Sequence, residues 1–267
     1  MPSPADHDPP LPLVEADRAD PLLLRPVADA GGLPRHVLLP GDPDRVEVMA
    51  SPWSDVTRFP LVRGLQAATG RYRGQALAAV STGMGAPSME FLLTEAILCG
   101  ADTAIRVGTT GSLREDVCNG DLVINDACVR MDGSSDAYVR PGFPAAASHE
   151  VTAALIAACQ EHGVRYHVGT GATSASFFVG QDRANPAGYA PPGRGALLEE
   201  LRAARVLNLE MEGATLLTLA RLFGIRAGVI STVIANRVTG AWGDEGGIER
   251  VCEVAATAVT YLNDGSS

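Results

Sequence analysis

Two arginines stand beside glycine-bearing loops, one of them where arginine is expensive. Arg106 lies inside the apolar run Thr103 to Val107, two residues before Gly108, and Arg45 lies one turn after Gly41-Asp42. A guanidinium in a strand that the core should cover needs an anion, either an internal carboxylate or a bound ligand. Arginine forks suit phosphate bidentately, and both arginines adjoin loops rich in small residues. Those loops are Gly41-Asp42, Thr82-Gly83-Met84-Gly85 and Gly108-Thr109-Thr110-Gly111. Glycines let backbone N–H groups approach an anion, and helix N-termini add a favourable field. The loops match neither GxGxxG nor GxxxxGK[ST], and a chain without lysine cannot form the second. Plain sharp turns after strands would produce the same glycines. Glu210 and Glu212 flank Met211 at a strand end. They are spaced to face one side, or to complement the charge of a helix N-terminus.

The elements that must hold these residues alternate strand and helix, which argues for one α/β domain. His36 to Pro40 reads as a buried strand, followed by a helix capped at Asp42 and begun by Pro43. Ala76 to Ser81 is a second strand. The helix after it aligns Met89, Leu92, Leu93, Ala96 and Ile97 on one face. Thr103 to Val107 is a third strand, ending at Gly108. A helix over Met211 to Phe223 closes on Gly224, a strand covers Ile225 to Ala235, and a last helix carries Ile248, Val251, Cys252, Ala255, Val259 and Leu262 on one stripe. Residues 1–20, rich in Pro, Asp and Ala, read as a flexible arm. The domain spans 21–262, and 263–267 should fray.

Composition narrows the class. At 267 residues the chain is long enough for a large single core. With 46% hydrophobic and 19% charged residues it is neither disordered nor fibrous. Its 21 cationic residues are all arginine, against 31 acidic ones, for a net charge of −10. Such a chain repels nucleic acid and anionic membrane, so any anion it binds needs a local arginine cluster. Cys99, Cys118, Cys128, Cys159 and Cys252 are widely spaced and read as free thiols, with no metal-ligand spacing. No apolar run reaches the ~18 residues of a membrane span, and Met1 to Pro12 lacks the apolar core of a signal peptide. A cytoplasmic protein is expected.

Six segments in order carry a resemblance: LLPGDPDRVEVMA (38–50), STGMGAPS (81–88), IRVGTTGSL (105–113), SFFVGQDR (176–183), NLEMEGATLLTLA (208–220) and VIANR (233–237). Together they resemble the nucleoside phosphorylase family, and within it the uridine phosphorylase branch, over roughly residues 20–262. The resemblance implies an α/β, single-domain, three-layer fold with a central mixed sheet flanked by helices. It implies a pentosyltransferase that splits a uracil nucleoside with inorganic phosphate, giving uracil and ribose 1-phosphate, with no cofactor. Gly41, Arg45, Arg106 and Thr109 match the phosphate ligands. Arg63 matches an arginine that reaches a neighbouring subunit's phosphate. Met211 and Glu212, with Thr109, match the ribose contacts. Thr110, Gly111, Phe177, Gln181, Arg183 and Glu210 match the base pocket, and Arg237 a mobile flap over it. Arg106, Glu212 and Arg183 are the residues expected to carry catalysis.

These residue types suit that chemistry. Phosphorolysis passes through an oxocarbenium-like sugar, so the site must position phosphate and stabilise charge on the departing base. A glutamine amide complements the N3–H and a carbonyl of uracil. An extended backbone would point Gln181 and Arg183 the same way. The resemblance also implies a dimer with shared sites, and larger rings such as a hexamer.

Departures from the family pattern leave alternatives open. The purine branches place an aspartate near Asn236, which favours a pyrimidine here. Leu23 replaces a histidine that reaches the ribose 5′-hydroxyl, although His7 on the arm is another candidate partner. A 5′-modified uridine such as 5′-amino-5′-deoxyuridine, in nucleoside-antibiotic biosynthesis, is therefore an alternative substrate. Purine or methylthioadenosine phosphorolysis and a non-catalytic nucleoside-binding protein are further readings. Gly64 replaces a glutamate that helps hold a monovalent cation in relatives, which argues against that ion although Ser88 and Met84 match its other contributors.

Overall fold

The apolar run His36–Pro40 forms strand β1, buried at every position. It lies between two parallel neighbours, β4 (Gln75–Val80) and β5 (Thr103–Ser112). Continuously hydrophobic strands of this kind are covered on both faces by helices. The computed structural model describes residues 20–193, 195–243 and 246–262. Apart from Asp20, the arm expected over 1–20 lies outside the described residues, as do His7 and the tail 263–267.

The remaining elements are α1 (Arg25–Asp29), α2 (Asp44–Ala50), β2 (Ser54–Pro60), β3 (Gln66–Tyr72), α3 (Ala86–Leu98), β6 (Leu122–Met131), β7 (Ala145–Ala146), α4 (His149–Glu161), β8 (Tyr166–Ser174), α5 (Ala196–Ala203), β9 (Asn208–Glu210), α6 (Gly213–Phe223), β10 (Arg226–Asn236) and α7 (Gly247–Thr260). The mixed sheet runs β10-β6-β8-β9-β5-β1-β4-β3-β2, and β10 also pairs with β5. Strands β5, β10, β6, β8 and β9 therefore close on themselves, while β1, β4, β3 and β2 extend the sheet from β5. Helices α2, α4 and α7 cover one face through Val46, Leu155 and Val251. Helices α1, α3 and α6 cover the other through Val27, Met89 and Leu216. This is the expected three-layer α/β architecture.

Helix α2 is capped by Pro43 and begins at Asp44 rather than being capped at Asp42, and the second strand and β10 shift by one residue. Two boundaries differ by more from the sequence reading. Strand β5 does not stop at Gly108 but continues through the glycine–threonine stretch to Ser112. Its far end pairs with β9 at Gly111 and Ser112, and β10 follows its other edge throughout. Pairing on both edges overrides the turn tendency of two glycines. Helix α6 starts at Gly213 rather than Met211, because Glu212 holds a non-helical φ of −141° as its N-cap. Its end is as expected, on the left-handed Gly224.

Among the described residues, no helix is long and apolar enough to cross a membrane.

Candidate active site

Because β1 sits between β4 and β5, the three glycine-bearing segments that follow or end these strands converge. They line one cavity of about 510 Å³, through Gly41, Gly83, Met84, Thr109, Thr110 and Gly111. Ligands collect at carboxyl ends of strands in such sheets. Gly83 donates its N–H to Gly41 O at 3.0 Å, tying two of the segments together. A side chain on Gly41 would meet Gly83 O at 3.0 Å and approach Arg106 Nη1 at 3.9 Å, so this glycine lets the backbone lie against the guanidinium.

Arg106 is 5% exposed and turned toward the cavity. Its Nε faces Glu210 Oε2 at 3.3 Å, and its Nη2 contacts Glu212 Oε2. Gly108 makes room for this, since a Cβ there would meet Arg106 Cζ at 3.3 Å. Glu212 also accepts the N–H of Gly85 at 2.6 Å, at the N-terminus of α3. Its carboxylate oxygens still have lone pairs for hydroxyl donors.

Glu210 lines the cavity, but its carboxylate is committed to the protein. Oε2 accepts the N–H groups of Glu212 (2.9 Å) and Gly213 (2.7 Å), and Oε1 accepts the Thr173 hydroxyl. Burial pushes its carboxyl pKa up, against the opposing pull of Arg106. The geometry makes Glu210 a support for Arg106 and for the start of α6, whereas the family pattern set it against the base. Thr110 is similarly engaged: its hydroxyl donates to Leu209 O at 2.7 Å and accepts from Asn208 Nδ2 at 2.8 Å. Asn208 in turn accepts from Asn125 at 2.7 Å, a buried bridge across the closed strands. An asparagine directly after the apolar stretch Leu122 to Ile124 was the available signal for it.

At the other end, Phe177, Gln181, Arg183, Ile234, Ala235 and Trp242 line the cavity, and Met211 lines it next to Glu212. The expected extended segment is absent. Val179–Gln181 is a 3₁₀ turn, and Asp182 is left-handed at φ 52°. That turn still brings Gln181 and Arg183 to the same cavity, with Arg183 stacked over the Phe177 ring at 4.3 Å. Arg237 donates to Gln181 O at 2.9 Å, and its stem covers Gly111, which leaves 3.6 Å between a notional Cβ and Arg237 Cγ. A bulge in β10 between Val233 and Ala235 lets the adjacent Ile234 and Ala235 both face the cavity.

Among the described residues, three cavity arginines and the neighbouring Arg237 each keep a buried N–H without a protein acceptor: Arg45 Nε, Arg106 Nη1, Arg183 Nε and Arg237 Nη1. Burial lowers the pKa of Arg45, Arg183 and Arg237, and proximity of Arg106 to Arg45 and of Arg237 to Arg183 adds to it. Crowded, desolvated cations with spare donors call for acceptor-rich ligands.

Of the sequence candidates, Arg63, Leu23, Asn236 and Arg237 do not line the cavity. Arg63 is exposed, left-handed at φ 61°. Leu23 is fastened to its own chain, its N–H donating to the buried Glu95 carboxylate at 2.9 Å between similar bonds from Leu22 and Leu24. Asn236 turns its side chain into the protein body, donating to Arg114 O and Val117 O. Trp242, Pro43 and Asp42 line the cavity without having been singled out as ligands.

The description of the Phosphorylase superfamily matches residues 35–263. The chain belongs to this family. A uridine phosphorylase of Thermococcus kodakarensis is 46% identical over 87% of this chain and 83% of its own length. One from Escherichia coli is 37% identical over 75% of this chain and 79% of its own. A guanosine phosphorylase of Halorubrum lacusprofundi is 29% identical over 88% and 97%. Phosphorylase chemistry is enzymatic pentosyl transfer, and the arginine-lined cavity is where this chain concentrates the groups suited to it.

Proposed function

We propose that the enzyme cleaves a uracil nucleoside with inorganic phosphate, releasing uracil and ribose 1-phosphate. The observation that carries this is the division of the spare buried arginine donors between two ends of one cavity. Arg45 and Arg106 lie with Gly41 and Thr109 at one end; Arg183 lies with Gln181 at the other, with Arg237 behind it on the Gln181 carbonyl. The first end suits phosphate, the second the carbonyl-rich edge of uracil, and Glu212 and Met211 between them suit the ribose hydroxyls. Uridine phosphorylases among the relatives support the same substrate.

A phosphate oxygen attacks C1′ of the ribose as the C1′–N1 bond breaks. The bonding pair leaves with the base, and the Arg183 guanidinium stabilises the charge developing there until the ring takes a proton from water. Glu212 orients the sugar through its hydroxyls, and Arg106 is held between phosphate and Glu212, so both reactants are positioned by one cation. Inorganic phosphate is a co-substrate, and no cofactor enters the scheme. Arg63, exposed and outside its own cavity, is assigned to the phosphate of a neighbouring copy, in a dimer-based assembly.

Leu23 favours a second reading, in which the nucleoside carries a modified 5′ group such as an amine. An apolar residue anchored to Glu95 offers no side-chain partner to a 5′-hydroxyl. One assay tests both readings: base release from uridine, 5′-amino-5′-deoxyuridine, cytidine and adenosine, each with and without phosphate. Uracil release that needs no phosphate would replace the scheme with hydrolysis.

A further inference from the structure

We infer that Asn236 is a positioning residue for nucleoside binding, clamping the hairpin that carries Arg237 and Trp242 so that it walls the base end of the cavity. The inference rests on the assignment of that end to the base. Asn236 is 3% exposed and is not part of the cavity lining. Its Nδ2 donates to Arg114 O at 2.9 Å and Val117 O at 3.0 Å. Its Oδ1 accepts from Val238 N at 2.9 Å and Thr239 N at 3.0 Å. Both donors and both acceptor sites of the amide are thus used. They join two stretches that are distant in sequence, the loop after β5 and the turn after β10.

What hangs from this clamp is the cavity wall. Asn236 N donates to Ala241 O, and Gly243 N donates to Ile234 O, each at 2.9 Å, while Ala235 and Trp242 form an antiparallel bridge. Residues opposite each other in such a pair project to the same face, and both Ala235 and Trp242 line the cavity. The indole is 66% exposed, so packing alone does not hold it there. On the other side of the turn, Arg237 N donates to Ser112 O at 2.8 Å, and its guanidinium reaches Gln181 O. Releasing the turn would loosen the tryptophan wall and the backbone support of Gln181 together, with the phosphate end untouched.

Aspartate cannot replace this side chain. It keeps the two acceptor bonds but has no donor, and it sets a carboxylate against two carbonyl oxygens. The test compares Asn236→Ala and Asn236→Asp with the full-length wild type in steady-state kinetics, varying uridine and phosphate separately. Expected is a rise of about tenfold or more in nucleoside KM for both variants, with phosphate KM and kcat within about threefold. Hydrogen exchange on the ligand-free wild type supplies a readout independent of variant folding. The Val238 and Thr239 amides should exchange at least about a hundredfold slower than in an unstructured peptide. Nucleoside KM unchanged in both variants, nucleoside and phosphate KM rising in parallel, or unprotected Val238 and Thr239 amides would each overturn the inference. A wild type inactive on every nucleoside would instead overturn the base assignment and leave the exchange result to judge the clamp.

Discussion

The guanidinium of Arg106 bridges two carboxylates, facing Glu210 Oε2 through Nε at 3.3 Å and contacting Glu212 through Nη2. The two acids differ in what they have left. Glu210 spends both oxygens on protein donors, whereas Glu212 keeps acceptor capacity toward the cavity. Arg106 likewise retains one buried N–H, at Nη1. On the proposed function, Arg106 and Glu212 face the reactants and Glu210 holds them in place.

Removing the cation tests the first half of this relationship. Arg106→Ala should lower kcat/KM for phosphate by two or more orders of magnitude, roughly the ~3 kcal/mol of a lost charged contact in a dry site. It also leaves Glu210 and Glu212 facing each other uncompensated. Wild-type kcat/KM for phosphate in this variant would sink the phosphate assignment.

Glu210 tests the second half. Glu210→Ala strands Arg106 Nε and two backbone N–H groups at the start of α6, and loss of one partner of a buried pair costs about 3–5 kcal/mol. The urea midpoint should fall accordingly. A variant of wild-type stability whose sole defect is weaker nucleoside binding would return Glu210 to the base pocket.

That distinction marks where the sequence stopped being readable. The glycine loops and Arg106 were legible because each breaks a local rule, glycine where a strand should continue and charge where apolar residues surround it, whereas Arg45 and Glu212 were legible through the ordered family motifs that carry them. The α/β layering was legible from periodicity for the same local reason. Closure of β5, β10, β6, β8 and β9 was not, because it depends on pairings between distant residues such as Gly111 with Leu209. The left-handed Asp182 between Gln181 and Arg183 was missed because nothing local demands it. The contacts of Glu210 and Asn236 were hidden because their partners, Thr173 and Arg114, are brought to them only by the tertiary fold.

Thiol chemistry reports on the same core. Burial pushes the Cys159 and Cys252 pKa values up to about 12 and raises those of Cys99 and Cys128, by disfavouring thiolate. A raised thiol pKa means the folded chain holds its proton through the range where the unfolded chain ionises, so stability falls as pH rises from about 8.5 toward 12. At pH 8 an aromatic disulfide reagent should titrate Cys118, the exposed thiol, and reach the other four after denaturation. Rapid native reaction of Cys252, on α7, would contradict its buried placement.

Sharing of sites between subunits is tested by complementation. Arg63→Ala and Glu212→Ala should each be inactive alone. If Arg63 serves a partner's phosphate, a heterodimer of the two carries one doubly damaged site and one intact site. Random reassembly of equal amounts should then restore about a quarter of wild-type activity. Inactive mixtures, with heterodimers verified by mass, would show that Arg63 does not work across an interface.

The base end yields the sharpest expectation. Arg183, which lines the cavity, keeps a buried Nε–H without an acceptor among the described residues, and arginine has no acceptor to offer in return. Uracil presents carbonyl, N–H, carbonyl along its imide edge, which satisfies Arg183 and the Gln181 amide together. Cytosine replaces one carbonyl with an amino donor, leaving that donor and an arginine N–H opposed in a desolvated site. Discrimination built on such an unpaired group reaches about 10⁴, so cytidine should react slower than uridine by several orders of magnitude. Adenosine should fail for a separate reason. The side chain at 236 is an amide turned away from the cavity, so it cannot deliver a proton to a departing purine. Phosphate-dependent uracil release with negligible cytosine and adenine release is the expected outcome of a discontinuous chromatographic assay. Comparable rates for cytidine and uridine would overturn the base assignment of Gln181 and Arg183, while leaving the phosphate end to stand on the Arg106 result.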